Sequence, residues 1–289
     1  MVSYHDGAVL VGIPGGIDLN ATFGCGQAFR WRPQPDGAWQ GVAGAYRATI
    51  SRTAEGMRID PCDEAAFECF WRRYLDLDCD YSACEAALAC DEVLAPMVRS
   101  CGGLRLLNQP VWECLVSFLI SSNNNVKRIE GIVERLCARY GQDLGGYFAF
   151  PTAQALLAAG EDALRGCGLG YRAAFVWRTA QRVCEGFPLD ELPEMGFEQA
   201  KQQLLTLHGV GEKVADCVLL FSCGYREAFP VDVWVHRAVT AAFADAGSSP
   251  KELRAFARRR FGTLAGLAQQ VLFHYERVCK KELDIGPAL

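Results

Sequence analysis

The stretch Leu204–His236 limits what this chain can fold into more than any other. An apolar helix end at Leu204, Leu205 and Leu207 runs into the turn His208-Gly209-Val210-Gly211. A second helix is expected from about Gly211 to Gly224, a glycine placed to close it. Glycines at alternate positions permit a tight turn without Cβ clashes. They also leave the first N–H groups of the new helix facing outward, where an anion such as a phosphate can sit. Lys213 falls in the first turn of that helix, ahead of Val214, Ala215, Cys217, Val218, Leu219, Leu220 and Phe221. A helix apolar on all sides is a buried one, which puts the lysine at the mouth of a desolvated site. Burial and the positive helix end both disfavour an ammonium, so a neutral, nucleophilic amine is expected there. A carboxylate follows, Asp232, inside the apolar run Phe229–Trp234. Each piece also has a plainer reading. A helix lysine is ordinarily a solvated charge, an aspartate after a proline is the expected N-cap, and a turn with two glycines can be only a turn.

At 289 residues, 51% of them hydrophobic, the chain suffices for one large domain or two smaller ones. A net charge of −5 gives no general expectation of a nucleic-acid partner. The charge is uneven, however: residues 1–100 hold 8 Lys/Arg against 14 Asp/Glu, and residues 101–289 hold 21 against 20. Any nucleic-acid face must therefore be a local basic patch on the later part. The 14 cysteines are scattered, many at apolar helix positions such as Cys114, Cys137 and Cys217. The opening MVSYHDGAVLVGIPGG lacks a basic leader region and a long apolar core. No run approaches the roughly 20 apolar residues of a membrane span. Reduced thiols, no membrane association and a cytoplasmic location, nucleoid-associated in a bacterium, are expected. No paired CxxC occurs, and no metal is expected.

Residues 1 to about 60 read as an antiparallel meander. Phe29–Arg32, Ala38–Val42, Tyr46–Ile50 and Gly56–Ile59 are short, aromatic or β-branched, and separated by turn signals at Asp36-Gly37, Gly44 and Glu55-Gly56. From Asp63 the period becomes helical, with Ala66, Phe67, Phe70, Trp71 and Tyr74 on one side. Further helices are expected at about 82–89 and 92–100, and Gly102-Gly103 marks a boundary. Beyond Pro110 only helices are read: about 111–120, a second from 126, then 152–158, 161–165, 171–184 and 263–279. Ser249-Pro250-Lys251-Glu252 reads as a capping box with proline in the first turn, opening the helix that holds Arg258–Arg260. The fold class is α+β. A sheet domain with helices, 1–103, precedes an all-α domain, 104–289.

Joined in this order, the turn, Lys213 and Asp232 resemble the helix–hairpin–helix with Gly/Pro-rich loop and aspartate of base-excision DNA glycosylases. Four other stretches are similar to 8-oxoguanine DNA glycosylase/AP lyase of the eukaryotic type: Cys25–Trp31, Ser121–Ile129, Gly168–Ala173 and Gly266–Phe273. Together they cover residues about 20 to 280. The resemblance implies a bifunctional enzyme that takes an oxidised purine from double-stranded DNA, without a cofactor and as a monomer. The chain lacks the four-cysteine cluster with which some related glycosylases bind an iron–sulfur group.

The resemblance assigns roles residue by residue. Lys213 and Asp232 would carry catalysis. Gly26, Cys217, Gln269 and Phe273 would line the base pocket, the Gly26 carbonyl accepting the N7–H that 8-oxoguanine has and guanine lacks. Cys217 lies four residues after Lys213, hence above it on the same helix side, and Gln269 and Phe273 share a face in the same way. Asn123, Arg128, Tyr171 and Arg172 would fill the gap left by the flipped nucleotide and read the opposite cytosine, with Gly209 and Gly211 holding backbone phosphate. Two positions depart from the family pattern: His208 stands where proline is usual, and Trp234 where eukaryotic members tend to place histidine. Two other readings stay open, a monofunctional alkyl-base glycosylase and a non-catalytic helix–hairpin–helix DNA-binding module.

Overall fold

A two-residue turn begins the chain. Asp6 and Gly7 both take positive φ, 48° and 73°, as a primed hairpin turn requires, and they join β1 (Val2–His5) to β2 (Ala8–Gly12). This hairpin is absent from the meander read above, although Asp-Gly is its ordinary signal. The expected strands follow as β3 (Trp31–Pro33), β4 (Trp39–Ala43), β5 (Tyr46–Arg52) and β6 (Gly56–Asp60). The sheet has six strands in the order β1-β2-β6-β5-β4-β3. Antiparallel registers such as Val9↔Ile59 and Trp39↔Ile50 put apolar side chains on one face, and Val9, Ile50 and Ile59 are fully buried. Gly41 is required by packing, since a Cβ there would lie 2.4 Å from the Trp31 ring.

The computed structural model describes residues 2–279; the end of the expected helical domain, 280–289, lies outside them. A short helix, α1 (Leu19–Gly24), precedes β3 and is capped by Asp18. After the sheet come α2 (Glu64–Ala66) and α3 (Arg72–Tyr74), continuous through a π-turn at Phe67–Trp71. Then follow α4 (Tyr81–Leu88), α5 (Ala95–Ser100), α6 (Val111–Ser121), α7 (Val126–Tyr140), α8 (Ala153–Ala159) and α9 (Glu161–Leu164). The remainder is α10 (Arg172–Cys184), α11 (Phe197–Leu205), α12 (Glu212–Ser222), α13 (Val233–Ala242), α14 (Pro250–Phe261) and α15 (Ala265–His274).

The described chain divides into two compact units. The first comprises residues 2–25, 51–107 and 225–279, the second 26–50 and 108–224. In the first, Trp71, Phe67, Ile59, Leu75 and Leu94 build the core with Val235 and Leu272 from the C-terminal helices. Arg260 on α14 donates to Asp91 at 2.6 Å, binding the late helices to the early ones. In the second, α6 is buried over nearly all its length. Phe118 stacks on Phe221 with ring centres 5.5 Å apart and receives Phe29 edge-on at 5.6 Å.

The capping box before α14 forms as expected: Ser249 Oγ accepts the Glu252 amide, and the Glu252 carboxylate accepts the Ser249 amide at 2.8 Å. The Ser249 amide and hydroxyl hold the Glu252 carboxyl below its usual range. The cap therefore stabilises above the ordinary carboxylate pKa and is lost as pH falls through the lowered one. Ser249→Ala should cost about 1 kcal/mol in a urea melt at neutral pH, with a smaller difference in acid.

Candidate active site

The hairpin between α11 and α12 is closed by Val210 N–H donating to the Leu207 carbonyl at 3.1 Å. Its two glycines do different work. Gly209 sits at φ +86°, and a Cβ there would fall 2.3 Å from the Phe175 ring, so both backbone and packing demand glycine. Gly211 has φ −100° and open space around its Cα. It is the N-cap of α12 and supplies no side-chain acceptor, which leaves the first amides of that helix available to an outside anion. His208 packs edge-on to Phe175 at 5.1 Å, and its Nε2 lies 3.5 Å from Arg178 Nη1. An aromatic clamp thus steadies the turn where the family pattern has proline.

Lys213 is half-buried on the first turn of α12. Its Nζ donates to Ser121 Oγ at 3.1 Å and lies 5.0 Å from the centre of the Phe118 ring. Ser121 Oγ donates in turn to the Phe118 carbonyl at 2.7 Å. With its proton committed there, the hydroxyl can only accept, so it orients the amine without surrendering a proton to it. Cys217, one turn above, is buried. The same helix also holds Asp216, fully buried and paired with Lys201 on α11 at 2.8 Å. Lys201 reaches Glu212 as well, at 2.7 Å. That charge network escaped the reading of α12 as an apolar helix.

Near Lys213, the three successive asparagines each have a task. Asn123 takes a positive φ of 49°, which asparagine tolerates better than most residues, and its side chain is exposed. Asn124 Nδ2 donates to the Ile120 carbonyl at the end of α6. Asn125 caps α7 by accepting the Arg128 amide at 2.9 Å. The Arg128 side chain is exposed on that first turn. Arg172 is buried and braces the loop, donating to the carbonyls of Ser122 and Asn123, each at 2.7 Å. It lies over the Tyr171 ring at 4.4 Å, and Tyr171 is half-exposed beside it. Tyr171, Phe175 and His208 form a run of edge contacts from this loop to the hairpin.

Gly26 begins the second unit at φ +80°. Its neighbour Gln27 is buried, and the Gln27 carbonyl accepts Gln109 Nε2 at 2.6 Å. Gln109 N–H donates to the Phe221 carbonyl at 2.7 Å, so one glutamine ties the Gly26 segment to α12. Gln109 carries no signal in the sequence that would mark it, and Ser121 opens the Ser121–Ile129 stretch without a role of its own assigned there. The second unit thus gathers Lys213, Cys217, Gly26, Asn123, Arg128, Tyr171, Arg172, Gly209 and Gly211.

The first unit carries Asp232, Gln269 and Phe273. Asp232 is the N-cap of α13, its Oδ1 accepting the Val235 amide at 2.8 Å; the carboxylate is half-buried. Gln269 is buried and its oxygen accepts from Gln270 at 2.9 Å. Phe273, one turn on, is half-buried. Among the described residues no group of three or more His, Cys, Asp or Glu side chains could hold a metal, and no helix is long and apolar enough to cross a membrane.

Comparison with known proteins decides the family. Residues 12–115 match the 8-oxoguanine DNA glycosylase N-terminal domain, and residues 116–262 match the HhH-GPD superfamily base excision DNA repair protein model. The chain belongs to the HhH-GPD superfamily of base excision DNA repair proteins. It is 31% identical over 306 residues to the N-glycosylase/DNA lyase OGG1 of Arabidopsis thaliana, covering 92% of this chain and 79% of that one. A probable N-glycosylase/DNA lyase of Methanothermobacter thermautotrophicus is 32% identical over 211 residues, 65% of this chain and 68% of that protein. Among solved structures, Clostridium acetobutylicum 8-oxoguanine glycosylase/lyase, in complex with double-stranded DNA containing cytosine opposite 8-oxoguanine, superposes with TM-score 0.93 at 33% identity. That match covers 97% of this chain and 98% of the other. The protein is a DNA N-glycosylase and DNA lyase of this branch.

In this glycosylase the contrast between Gly209 and Gly211 gives a prediction. Gly209→Ala should destabilise the fold by about 1–3 kcal/mol, through positive φ and overlap with Phe175. Gly211→Ala should leave the melting temperature close to wild type, because a Cβ there meets nothing within 4 Å. Equal melting temperatures for the two variants would show that the turn does not carry the strain described.

Proposed function

We propose that the enzyme excises 8-oxoguanine from duplex DNA, preferentially opposite cytosine, through a Schiff base on Lys213, and then cleaves the abasic strand by β-elimination. The observation that carries this reading is the setting of Lys213. A half-buried amine is held by a hydroxyl that only accepts, against an aromatic face, beside a helix N-terminus with uncapped amides. The damaged nucleotide is rotated out of the stack at a cost of a few kcal/mol. The amine nitrogen attacks C1′, the N-glycosidic bond breaks, and the base departs with the bonding electron pair and takes up a proton. Opening of the sugar gives the Schiff base; loss of a proton from C2′ then expels the 3′-phosphate. Asp232 stabilises the positive charge that develops on the sugar.

Recognition follows the same logic. The Gly26 carbonyl accepts the N7–H of 8-oxoguanine, and ordinary guanine would leave that carbonyl facing a lone pair. Cys217 and Phe273 cover the two faces of the base, and Gln269 bonds its Watson–Crick edge. Tyr171 and Asn123 fill the vacated stack, Arg128 donates to cytosine O2 and N3, and Arg172 braces the loop that presents Asn123. The enzyme acts as a monomer. The test is a single-turnover assay on duplexes with 8-oxoguanine opposite each of the four bases. Excision should be fastest opposite cytosine; equal rates opposite all four would remove Arg128 from its role.

A further inference from the structure

Cys79 and Cys84 flank the N-cap of α4. Asp80 is that cap, accepting the Ala83 amide at 3.0 Å, so Cys79 precedes the cap and Cys84 is the fourth helix residue. Side chains at these two positions commonly pack together at a helix start. Their sulfur atoms lie 3.9 Å apart, and both residues are partly exposed. Arg226 Nη1 donates to Cys79 Sγ at 2.7 Å, while its Nη2 donates to Asp76. The guanidinium N–H thus fixes the Cys79 sulfur beside that of Cys84. Burial, and after it the neighbouring Cys79, push the Cys84 thiol up to about 11, so Cys84 stays protonated until it is used. Cys79 also lines a cavity of about 270 Å³ with Asp78, Tyr81 and Arg105, ample for an oxidant little larger than water.

Arg226 does more than touch Cys79. Its carbonyl accepts the Gly266 amide at 2.7 Å, at the start of α15, the helix that carries Gln269 and Phe273. The residue also lies in the segment that leads directly to Asp232. Arg226 therefore fixes this segment to α15 through its backbone and to Asp76 and Cys79 through its side chain.

We propose that Cys79 and Cys84 form a peroxide-oxidisable dithiol, a modification site whose closure to a disulfide weakens the Arg226 anchor of the Asp232 segment by altering its Cys79 contact. The Cys79 sulfur attacks hydrogen peroxide, an S–O bond forms, the O–O bond breaks, and hydroxide leaves as water with the thiol proton. The Cys84 sulfur then attacks Cys79, the S–O bond breaks, and a second water leaves with the Cys84 proton. Two thiols lose two electrons and one peroxide becomes two waters. Closure brings the sulfurs from 3.9 Å to about 2.05 Å, a movement that alters the Cys79 contact with the guanidinium and leaves the Arg226–Asp76 pair in place. Arg226 and Cys79 thus act as positioning residues. Their effect on excision rests on the role proposed for Asp232, whereas disulfide formation does not.

The full-length enzyme is treated with hydrogen peroxide and mapped as peptides without reduction. Hydrogen exchange of residues 225–232 and single-turnover excision are followed before and after dithiothreitol. The expected result is a Cys79–Cys84 cross-linked peptide, faster exchange in 225–232, excision slowed roughly tenfold, and full recovery on reduction. Cys84→Ser should give no disulfide and should accumulate a Cys79 sulfenic acid that dimedone captures. Both thiols remaining free at a peroxide dose that oxidises the exposed Cys69, Cys90 and Cys184 would overturn the site. A disulfide that forms with unchanged exchange and unchanged excision would overturn the anchoring role. A disulfide with faster exchange but unchanged excision would instead count against Asp232 as proposed above.

Discussion

Lys213→Gln eliminates borohydride trapping on 8-oxoguanine DNA and slows base excision on the order of 10³-fold. Glutamine is close to lysine in length and can donate to Ser121 Oγ as Nζ does at 3.1 Å, so the fold and the local packing survive. What is lost is a nitrogen lone pair able to bond C1′. Duplex affinity should change little, because the hairpin amides, Asn123, Arg128 and Tyr171 remain in place. The measurements are single-turnover excision and equilibrium binding to the same lesion duplex. Rapid excision by the variant without strand cleavage would favour water as the nucleophile and the monofunctional reading.

The largest effect on stability is expected at Lys201. Its Nζ reaches Asp216 Oδ1 at 2.8 Å and Glu212 at 2.7 Å, and both Lys201 and Asp216 are buried. Lys201→Met would leave the Asp216 carboxylate buried without its cation. Breaking one side of such a pair costs about 3–5 kcal/mol, far more than the pair itself contributes over an apolar substitute. The double variant Lys201→Met/Asp216→Leu should therefore recover most of the loss, a non-additivity that a double-mutant cycle reads directly. The pair also joins α11 to α12, and Lys201 draws the Glu212 carboxylate onto itself at the N-terminal end of α12. An additive double variant in a denaturant melt would show that the network is not coupled in this way.

The parts of this molecule that sequence discloses are those set by near neighbours. Lys213 and Cys217 share a helix side because they are four residues apart, and the Ser249–Glu252 cap needs only its own turn. Four strands of the sheet were legible from short aromatic and β-branched runs, and the helices beyond Pro110 from their period. Asp6-Gly7 marks the β1–β2 hairpin, but β1 is largely exposed, so Val2–His5 has no buried alternation that would identify a strand. Contacts between distant positions leave no such trace. Ser121 meets Lys213 across a separation of 92 residues, and Gln109 reaches Gln27 across 82. Asp216 is a different failure: one acidic residue in an apolar helix gives no hint that its cation comes from the preceding helix.

The asparagine loop shows how a resemblance and a local rule can both hold. Asn125 is an ordinary N-cap, Asn124 satisfies the end of α6, and only Asn123 turns an exposed side chain outward from a positive-φ backbone. Asp232 is similar, since one of its oxygens caps α13 while the carboxylate as a whole remains half-buried. Capping fixes where such a side chain sits; it does not exhaust what its charge can do.

The most direct test is to locate the covalent bond. The wild-type enzyme is reduced with borohydride during reaction with an 8-oxoguanine·cytosine duplex, and the trapped complex is digested and sequenced by mass spectrometry. The expected product is a sugar-derived adduct on the peptide containing Lys213, at that lysine's Nζ. An adduct on another lysine or on the chain's amino terminus would contradict it.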